Sequence, residues 1–149
     1  MEVKFTHTNI VARDYQELAR FYTRVFGCES VLPERNLSGE WVEQLTGING
    51  VHIRGIHLRL PGYSNGPTLE IFQFNREIES DDMPAINSPG LAHIAFQVDD
   101  VEFYLQRLLT SGGHRLGATV RKVIEGVGLL TVVYARDPEG NIVEIQSWE

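Results

Sequence analysis

Four residues of the sequence combine metal-binding side chains with positions inside strand-like segments. They are His7, Glu70, His93 and Glu144. A carboxylate that faces the interior of a half-buried strand is costly unless an opposite charge compensates it. Two imidazoles and two carboxylates suit Zn, Ni, Co, Mn or Fe, and they leave coordination positions open for water or substrate. The residue types therefore predict one divalent metal ion in a catalytic site.

Each of these side chains, taken alone, also has an ordinary structural interpretation. A single histidine on a strand is commonly only hydrogen-bonded, and a single glutamate usually lies on the solvated face that strand alternation provides. The joint pattern favours the metal site, because one histidine and one glutamate occur at matching places in two halves of the chain.

A repeat of strand and helix patterns defines these two halves. Residues 5–12 and 91–98 alternate like β-strands and contain the two histidines. Apolar residues at i, i+3, i+4 and i+7 then form helix stripes that begin at Tyr15 and Val101. An aspartate that can cap the helix precedes each stripe, and glycine follows it. The shift from His7 to His93 equals the shift from Tyr15 to Val101, which indicates a duplication rather than two unrelated strand–helix units.

Further strand-like segments follow each predicted helix. They are residues 51–60 and 68–74 in the first half, and 129–135 and 142–148 in the second. Turn regions with proline, glycine and asparagine, at 61–67 and 137–141, connect the members of each pair. Glu70 and Glu144 each lie in the last strand of their half.

These patterns predict an α+β fold in which two βαβββ modules make up one compact domain. The modules are residues 1–75 and 90–149. Residues 76–89 are polar and contain proline, which is typical of a linker. Residues 33–50 form a less regular excursion, with a short helix expected around Trp41.

Composition excludes several function classes. The chain has 149 residues, a net charge of −7 and one cysteine, so it can bury a core without a disulfide. Acidity argues against binding to a nucleic-acid backbone. No segment approaches the roughly 20 apolar residues of a membrane span, and the start lacks the pattern of a signal peptide. We therefore expect a cytoplasmic protein that binds neither nucleic acid nor membrane.

Four stretches resemble the vicinal oxygen chelate superfamily, which includes glyoxalase I, methylmalonyl-CoA epimerase, extradiol dioxygenases and bleomycin resistance proteins. The stretches are residues 5–10 with His7, 69–72 with Glu70, 91–96 with His93, and 137–144 with Glu144. The resemblance implies two βαβββ modules in a cupped, mostly antiparallel sheet around a metal ion. It also implies that these four residues are the ligands.

The acid at position 70 makes the chain more similar to glyoxalase I and the epimerases than to the dioxygenases. The resemblance to these enzymes implies proton transfer next to a carbonyl, through a metal-stabilised enolate or enediolate. Glu144, or alternatively Glu70, would be ligand and proton shuttle at once. The expected substrate is a thiol adduct, an acyl-CoA or another oxygenated carbonyl compound, and a homodimer is expected. An iron-dependent dioxygenase and a non-catalytic binding or resistance protein remain as alternatives.

Three other residues with reactive side chains receive a structural interpretation. His52 and His57 have no partner in the repeat, so we expect them to be structural or to support the ligands from behind. Cys28 follows a helix end and is expected to be an unreactive core thiol.

Overall fold

The structure, a computed structural model, describes residues 2–75, 77–78 and 82–149. The chain divides into two compact units, residues 1–79 and 80–149. The predicted α+β class is confirmed, since helices and strands alternate along both units. Of the predicted linker, residues 76 and 79–81 lie outside the described residues, and the described remainder contains neither helix nor strand.

The described part of the first unit contains four strands and two helices. In chain order they are β1 (His7–Val11), α1 (Tyr15–Phe26), β2 (Glu29–Ser38), α2 (Glu40–Thr46), β3 (His52–Arg59) and β4 (Thr68–Phe74). The strands form one mixed sheet in the order β1-β4-β3-β2. Strands β1 and β4 are parallel, and the other pairs are antiparallel.

In the second unit, the residues that the structure describes form one helix and five strands. They are β5 (His93–Gln97), α3 (Val101–Thr110), β6 (His114–Arg115), β7 (Val120–Ile124), β8 (Gly128–Arg136) and β9 (Ile142–Trp148). The sheet order is β5-β9-β8-β6, and β7 also pairs with β8. Strands β5 and β9 are parallel, as are β1 and β4 of the first unit.

Local signals fix both ends of α1. The Asp14 side chain accepts hydrogen bonds from the backbone N–H groups of Gln16 and Glu17, so it satisfies two donors that the first turn leaves unpaired. Gly27 ends the helix at φ 73°, a left-handed conformation that costs glycine little. The apolar stripe of the helix is buried toward β3 and β4, and it covers Leu58, Leu69 and Ile71.

The opposite face of the first sheet carries Glu70 and is partly covered by the excursion between β2 and β3. Val42 of α2, Val51 and Ile53 are buried together there, with Phe72 and Phe74 packed against them. Strand alternation places Phe72 on the same face as Glu70. Residues of this excursion therefore contribute to an apolar cluster that lies beside Glu70 on the same face of the sheet.

The irregular excursion was predicted over residues 33–50, but its first residues belong to a strand. Residues 33–38 belong to β2, while the short helix expected around Trp41 is present as α2. Strand β2 has polar residues on both faces and a register shift between Val31 and Arg35, so it lacks the alternation that identifies a strand from sequence. Strands β6 and β7 pair with two separate stretches of β8, which adds a fifth strand to the second unit.

Asp137 organises the turn that leads into β9. Its fully buried carboxylate accepts hydrogen bonds from the backbone N–H groups of Glu139 and Asn141 and from the Asn141 side chain. Gly140 has a positive φ of 91°, which the tight turn requires. The turn thereby sets where β9, and Glu144 with it, begins to pair with β8.

Candidate metal centre

Strand register brings four polar residues of the first unit onto one face of its sheet. Asn9 on β1 lies opposite Glu70 on β4, and His57 on β3 lies opposite Glu70 from the other side. His7 precedes Asn9 by two positions and so shares its face. A carboxylate in the centre of this sheet is therefore flanked by polar side chains from both neighbouring strands.

The Glu70 carboxylate is largely buried, with 11% of its side chain exposed, and both of its oxygens have partners. Oε2 lies 2.7 Å from Nε2 of His57. Oε1 accepts a hydrogen bond of 2.9 Å from the Asn9 amide and lies 3.6 Å from Nε2 of His7. The two imidazole rings meet edge to face, with centroids 5.4 Å apart.

Both imidazoles have a threonine hydroxyl at their other nitrogen. Nδ1 of His57 lies 2.8 Å from Oγ1 of Thr68, and Nδ1 of His7 lies 3.2 Å from Oγ1 of Thr6. A hydrogen bond at one ring nitrogen fixes the orientation of the ring, and a hydroxyl can donate to that nitrogen or accept from it.

His7, His57 and Glu70 could hold a metal ion, and we call them the first-unit cluster. Their ligand atoms all lie within 4.8 Å of one another. The donor set fits a divalent transition metal, because it offers two imidazole nitrogens and one carboxylate. The buried charge of Glu70 is a further reason for the fit, since a cation compensates it.

Burial lowers the pKa of His57, and this effect exceeds the opposing attraction of the Glu70 charge. The positive charges of Arg35 and His7 act in the same direction as burial. A lowered pKa favours the neutral imidazole, which is the form that binds metal ions.

The second unit pairs its own histidine and glutamate. Nε2 of His93 on β5 lies 2.9 Å from Oε2 of Glu144 on β9. Ala95 lies opposite Glu144, so the histidine again precedes the opposite residue by two positions. The register of His93 and Glu144 thus repeats that of His7 and Glu70.

Tyr134 occupies in the second unit the position that His57 has in the first. It lies on β8 opposite Glu144, hydrogen-bonds that carboxylate, and packs its ring against His93 with centroids 5.1 Å apart. Burial raises the pKa of Tyr134, and the charge of Glu144 and the hydrogen bond to it raise it further. The phenol therefore stays protonated as a hydrogen-bond donor.

The structure brings His7 together with Glu70 and His93 together with Glu144, each pair inside one unit. Sequence reasoning did not include His57 among the ligands, since it treated this residue as structural or as a support for the ligands from behind. Pairing outward from the predicted turn at 61–67 sets residue 57 opposite residue 71, one position away from its observed partner Glu70, so the predicted hairpin does not identify it. The expectation for Cys28 is confirmed, since its thiol is buried and burial raises its pKa to about 12.

Each unit thus pairs an imidazole with a carboxylate on one face of its sheet. These are side chains that could bind a divalent metal ion. The sequence matches the Glyoxalase/Bleomycin resistance protein/Dioxygenase superfamily over residues 4–145. The chain belongs to this superfamily, which confirms the predicted resemblance. The match does not assign a single activity to the chain, because the superfamily contains both enzymes and resistance proteins.

Several solved structures share the fold. A glyoxalase family protein from Bacillus cereus is 19% identical, with a TM-score of 0.85, and the alignment covers 99% of this chain and 95% of that one. A family enzyme from Burkholderia phytofirmans is 15% identical, with a TM-score of 0.60 and coverage of 99% and 100%. A fosfomycin resistance protein from Listeria monocytogenes is 17% identical, with a TM-score of 0.64 and coverage of 100% and 96%.

No curated protein matches the sequence at a significant level. Among the described residues, no helix combines the length and apolar character that crossing a membrane requires.

Proposed function

We propose that this chain is a metal-dependent lyase, isomerase or epimerase that moves a proton next to a carbonyl group. The proposal includes one divalent metal ion per chain, with His7, Glu70, His93 and Glu144 as ligands and Zn, Ni or Co as the first candidates. One observation carries it: in both units an imidazole from the first strand meets a carboxylate from the last strand, in the same register. Membership of the superfamily supports it.

A divalent ion at these residues would act as a Lewis acid on substrate oxygens and stabilise the negative charge of an enolate or enediolate. Glu144 is our candidate for the group that removes and returns the proton, with Glu70 as the alternative. Its side chain is only 14% exposed, and His93 and Tyr134 hold the carboxylate in place. Desolvation and neighbouring charge are the factors that set the basicity of such a group.

The first test is elemental analysis of the protein purified without added metal. We expect the purified protein to contain Zn, Ni or Co at one ion per chain. The metal-loaded protein is then assayed in deuterated water for exchange of the proton next to the carbonyl, with adducts of methylglyoxal and thiols and with epimeric acyl-CoA thioesters as substrates. Tight binding of a small molecule without any exchange would instead support a binding or resistance protein.

The role of Glu144 is tested by Glu144→Gln, which removes the base while keeping the size of the side chain. We expect the metal content to be largely retained and the exchange rate to fall by about 100-fold or more, as loss of a general base does. Glu125→Gln, in an exposed turn of the same unit, is the matched control and should exchange normally. Unimpaired exchange in Glu144→Gln would reject this assignment, and suppression by Glu70→Gln alone would transfer the role to Glu70.

An iron-dependent dioxygenase is the second candidate, and His57 is the observation that favours it. The first-unit cluster has two histidines and one carboxylate, which is the ligand set of many non-haem iron oxygenases. Iron in the purified protein, with oxygen uptake on adding a catechol, would support this candidate. Anaerobic proton exchange with Zn, Ni or Co would support the first.

The proposed substrate is a thiol adduct, an acyl-CoA or a related carbonyl compound, and the proposed assembly is a cytoplasmic homodimer. The apolar cluster beside Glu70, which includes Phe72 and Phe74, supports a substrate with an apolar part. Light scattering during size-exclusion chromatography measures the assembly directly.

A further inference from the structure

We propose that His57 is a metal ligand, and that the first-unit cluster of His7, His57 and Glu70 holds a divalent cation even without His93 and Glu144. This inference rests on the proposed function in one respect, since both require that the chain binds metal. It goes beyond the four ligands that the duplicated pattern implies, because the repeat gives His57 no counterpart.

Both imidazoles of the cluster present the same nitrogen to the same carboxylate. Nε2 of His57 and Nε2 of His7 lie 2.7 Å and 3.6 Å from different oxygens of Glu70. All three ligand atoms fit within 4.8 Å, so an ion placed among them needs little movement of any side chain. Three protein ligands are enough for a catalytic zinc-type site.

Both rings are also supported at Nδ1 in the same way. Thr68 and Thr6 each place a hydroxyl beside Nδ1 of their histidine. Histidines that bind metals almost always donate the other ring N–H to a carboxylate, a backbone carbonyl or water, and a threonine hydroxyl can accept in the same way. A threonine hydroxyl can both donate and accept a hydrogen bond. Thr68 can therefore donate to Nδ1 when Nε2 of His57 donates to Glu70, and it can accept from Nδ1 when Nε2 binds an ion.

Neither the other histidine of β3 nor the equivalent residue of the second unit has the contacts of His57. His52 lies on the same strand, and its Nε2 contacts the Asn36 amide rather than a carboxylate. Tyr134 faces Glu144 at the equivalent position of the second unit, where a protonated phenol holds the carboxylate but is no ligand. Among the residues that the structure describes, the first unit therefore carries three candidate ligands at these positions and the second carries two.

The experiment titrates the metal-stripped full chain with Co²⁺ and follows both affinity and the visible absorption spectrum. The variants are His57→Gln, the double variant His93→Gln/Glu144→Gln, and Thr68→Val, which keeps every ligand and removes only the hydroxyl. His52→Gln is the matched control on the same strand. Circular dichroism of each variant verifies that it is folded.

We expect His57→Gln to weaken Co²⁺ binding by at least about 10-fold and to change the absorption bands, because an imidazole leaves the ion. Thr68→Val should weaken binding by roughly 10-fold, as loss of a supporting partner does. The double variant should still bind one Co²⁺ per chain with a spectrum that depends on His57. His52→Gln should behave like the unmodified protein.

Two outcomes overturn the inference and leave the proposed function standing. One is a His57→Gln or Thr68→Val variant with the affinity and spectrum of the unmodified chain. The other is complete loss of Co²⁺ binding in a folded double variant. If the unmodified chain itself binds no Co²⁺, the metal-dependent function and the inference fail together.

Discussion

Tyr134 lies directly opposite Glu144 across the β8–β9 pair and hydrogen-bonds its carboxylate. His93 contacts the same carboxylate from the neighbouring strand, at 2.9 Å. Glu144 is thus held between two side chains on one sheet face, and its orientation depends on both. The raised pKa of Tyr134 keeps the phenol a donor through the neutral range.

Tyr134→Phe removes this hydroxyl and keeps the ring that packs against His93. We expect the rate of proton exchange to fall by about 10-fold, because a hydrogen bond to a charged group is worth about 1.5–3 kcal/mol. Metal content should change little, since no proposed ligand is lost. Tyr63→Phe, on the exposed turn before β4, is the control. An exchange rate equal to that of the control would show that Tyr134 does not position Glu144.

Asp137→Ala is expected to lower the free energy of unfolding by about 3 kcal/mol. The substitution leaves two backbone N–H groups and the Asn141 amide without their acceptor inside a buried turn, and unsatisfied buried donors are costly. Urea unfolding followed by circular dichroism measures the change.

Glu125→Ala, in an exposed turn, is the control for Asp137→Ala and should stay within about 0.5 kcal/mol of the unmodified protein. A loss below about 1 kcal/mol in Asp137→Ala would mean that the turn forms without its central acceptor.

The parts of the fold that the sequence predicts are those governed by local signals. Helix α1 runs from the residue after its Asp14 cap to the residue before Gly27, as its spacing and end signals predict. Strand β4 has the predicted bounds, because turn residues stand before its start and β-branched and aromatic residues are frequent along it. Both histidine–glutamate pairs were predictable because duplication supplied a second copy of each.

The remaining features depend on contacts that local sequence does not encode. Strand β2 is a polar edge strand with an irregular register, so its pairing with β3 decides its conformation rather than its own pattern. His57 belongs to the cluster only because the β3–β4 register sets it opposite Glu70. Because His57 has no counterpart in the repeat, its place beside Glu70 becomes known only when the pairing of β3 with β4 is known.

Gly55→Ala is expected to lower the free energy of unfolding by about 1–3 kcal/mol, the usual cost of overpacking. A Cβ at this position would lie 2.2 Å from the Ile71 carbonyl oxygen and 2.6 Å from the Phe72 ring. Neither neighbour can move without disturbing β4. Because Gly55 is two residues from His57, we also expect weaker metal binding.

Gly117→Ala is the matched control for Gly55→Ala, since an added Cβ there has no neighbour within 4 Å. Thermal and urea unfolding of the two variants gives the comparison. Equal stability of both would show that the β3–β4 pair accommodates the extra methyl group by a shift of the strands.

Because the Cys28 thiol is buried, we expect the free energy of unfolding to decrease at high pH. Burial raises the pKa of its thiol from 9.0 to about 12 in the folded chain, so the folded state holds the proton more tightly than the unfolded state. The stabilisation is fully present below pH 9 and is lost as the pH rises from 9 toward 12, since only the unfolded chain then releases the proton. Between pH 8 and 10.5 the unmodified chain should lose about 2 kcal/mol more unfolding free energy than Cys28→Ala, which has no thiol to titrate. Urea unfolding at both pH values measures the two differences, and equal losses in the two proteins would contradict a buried, protonated thiol.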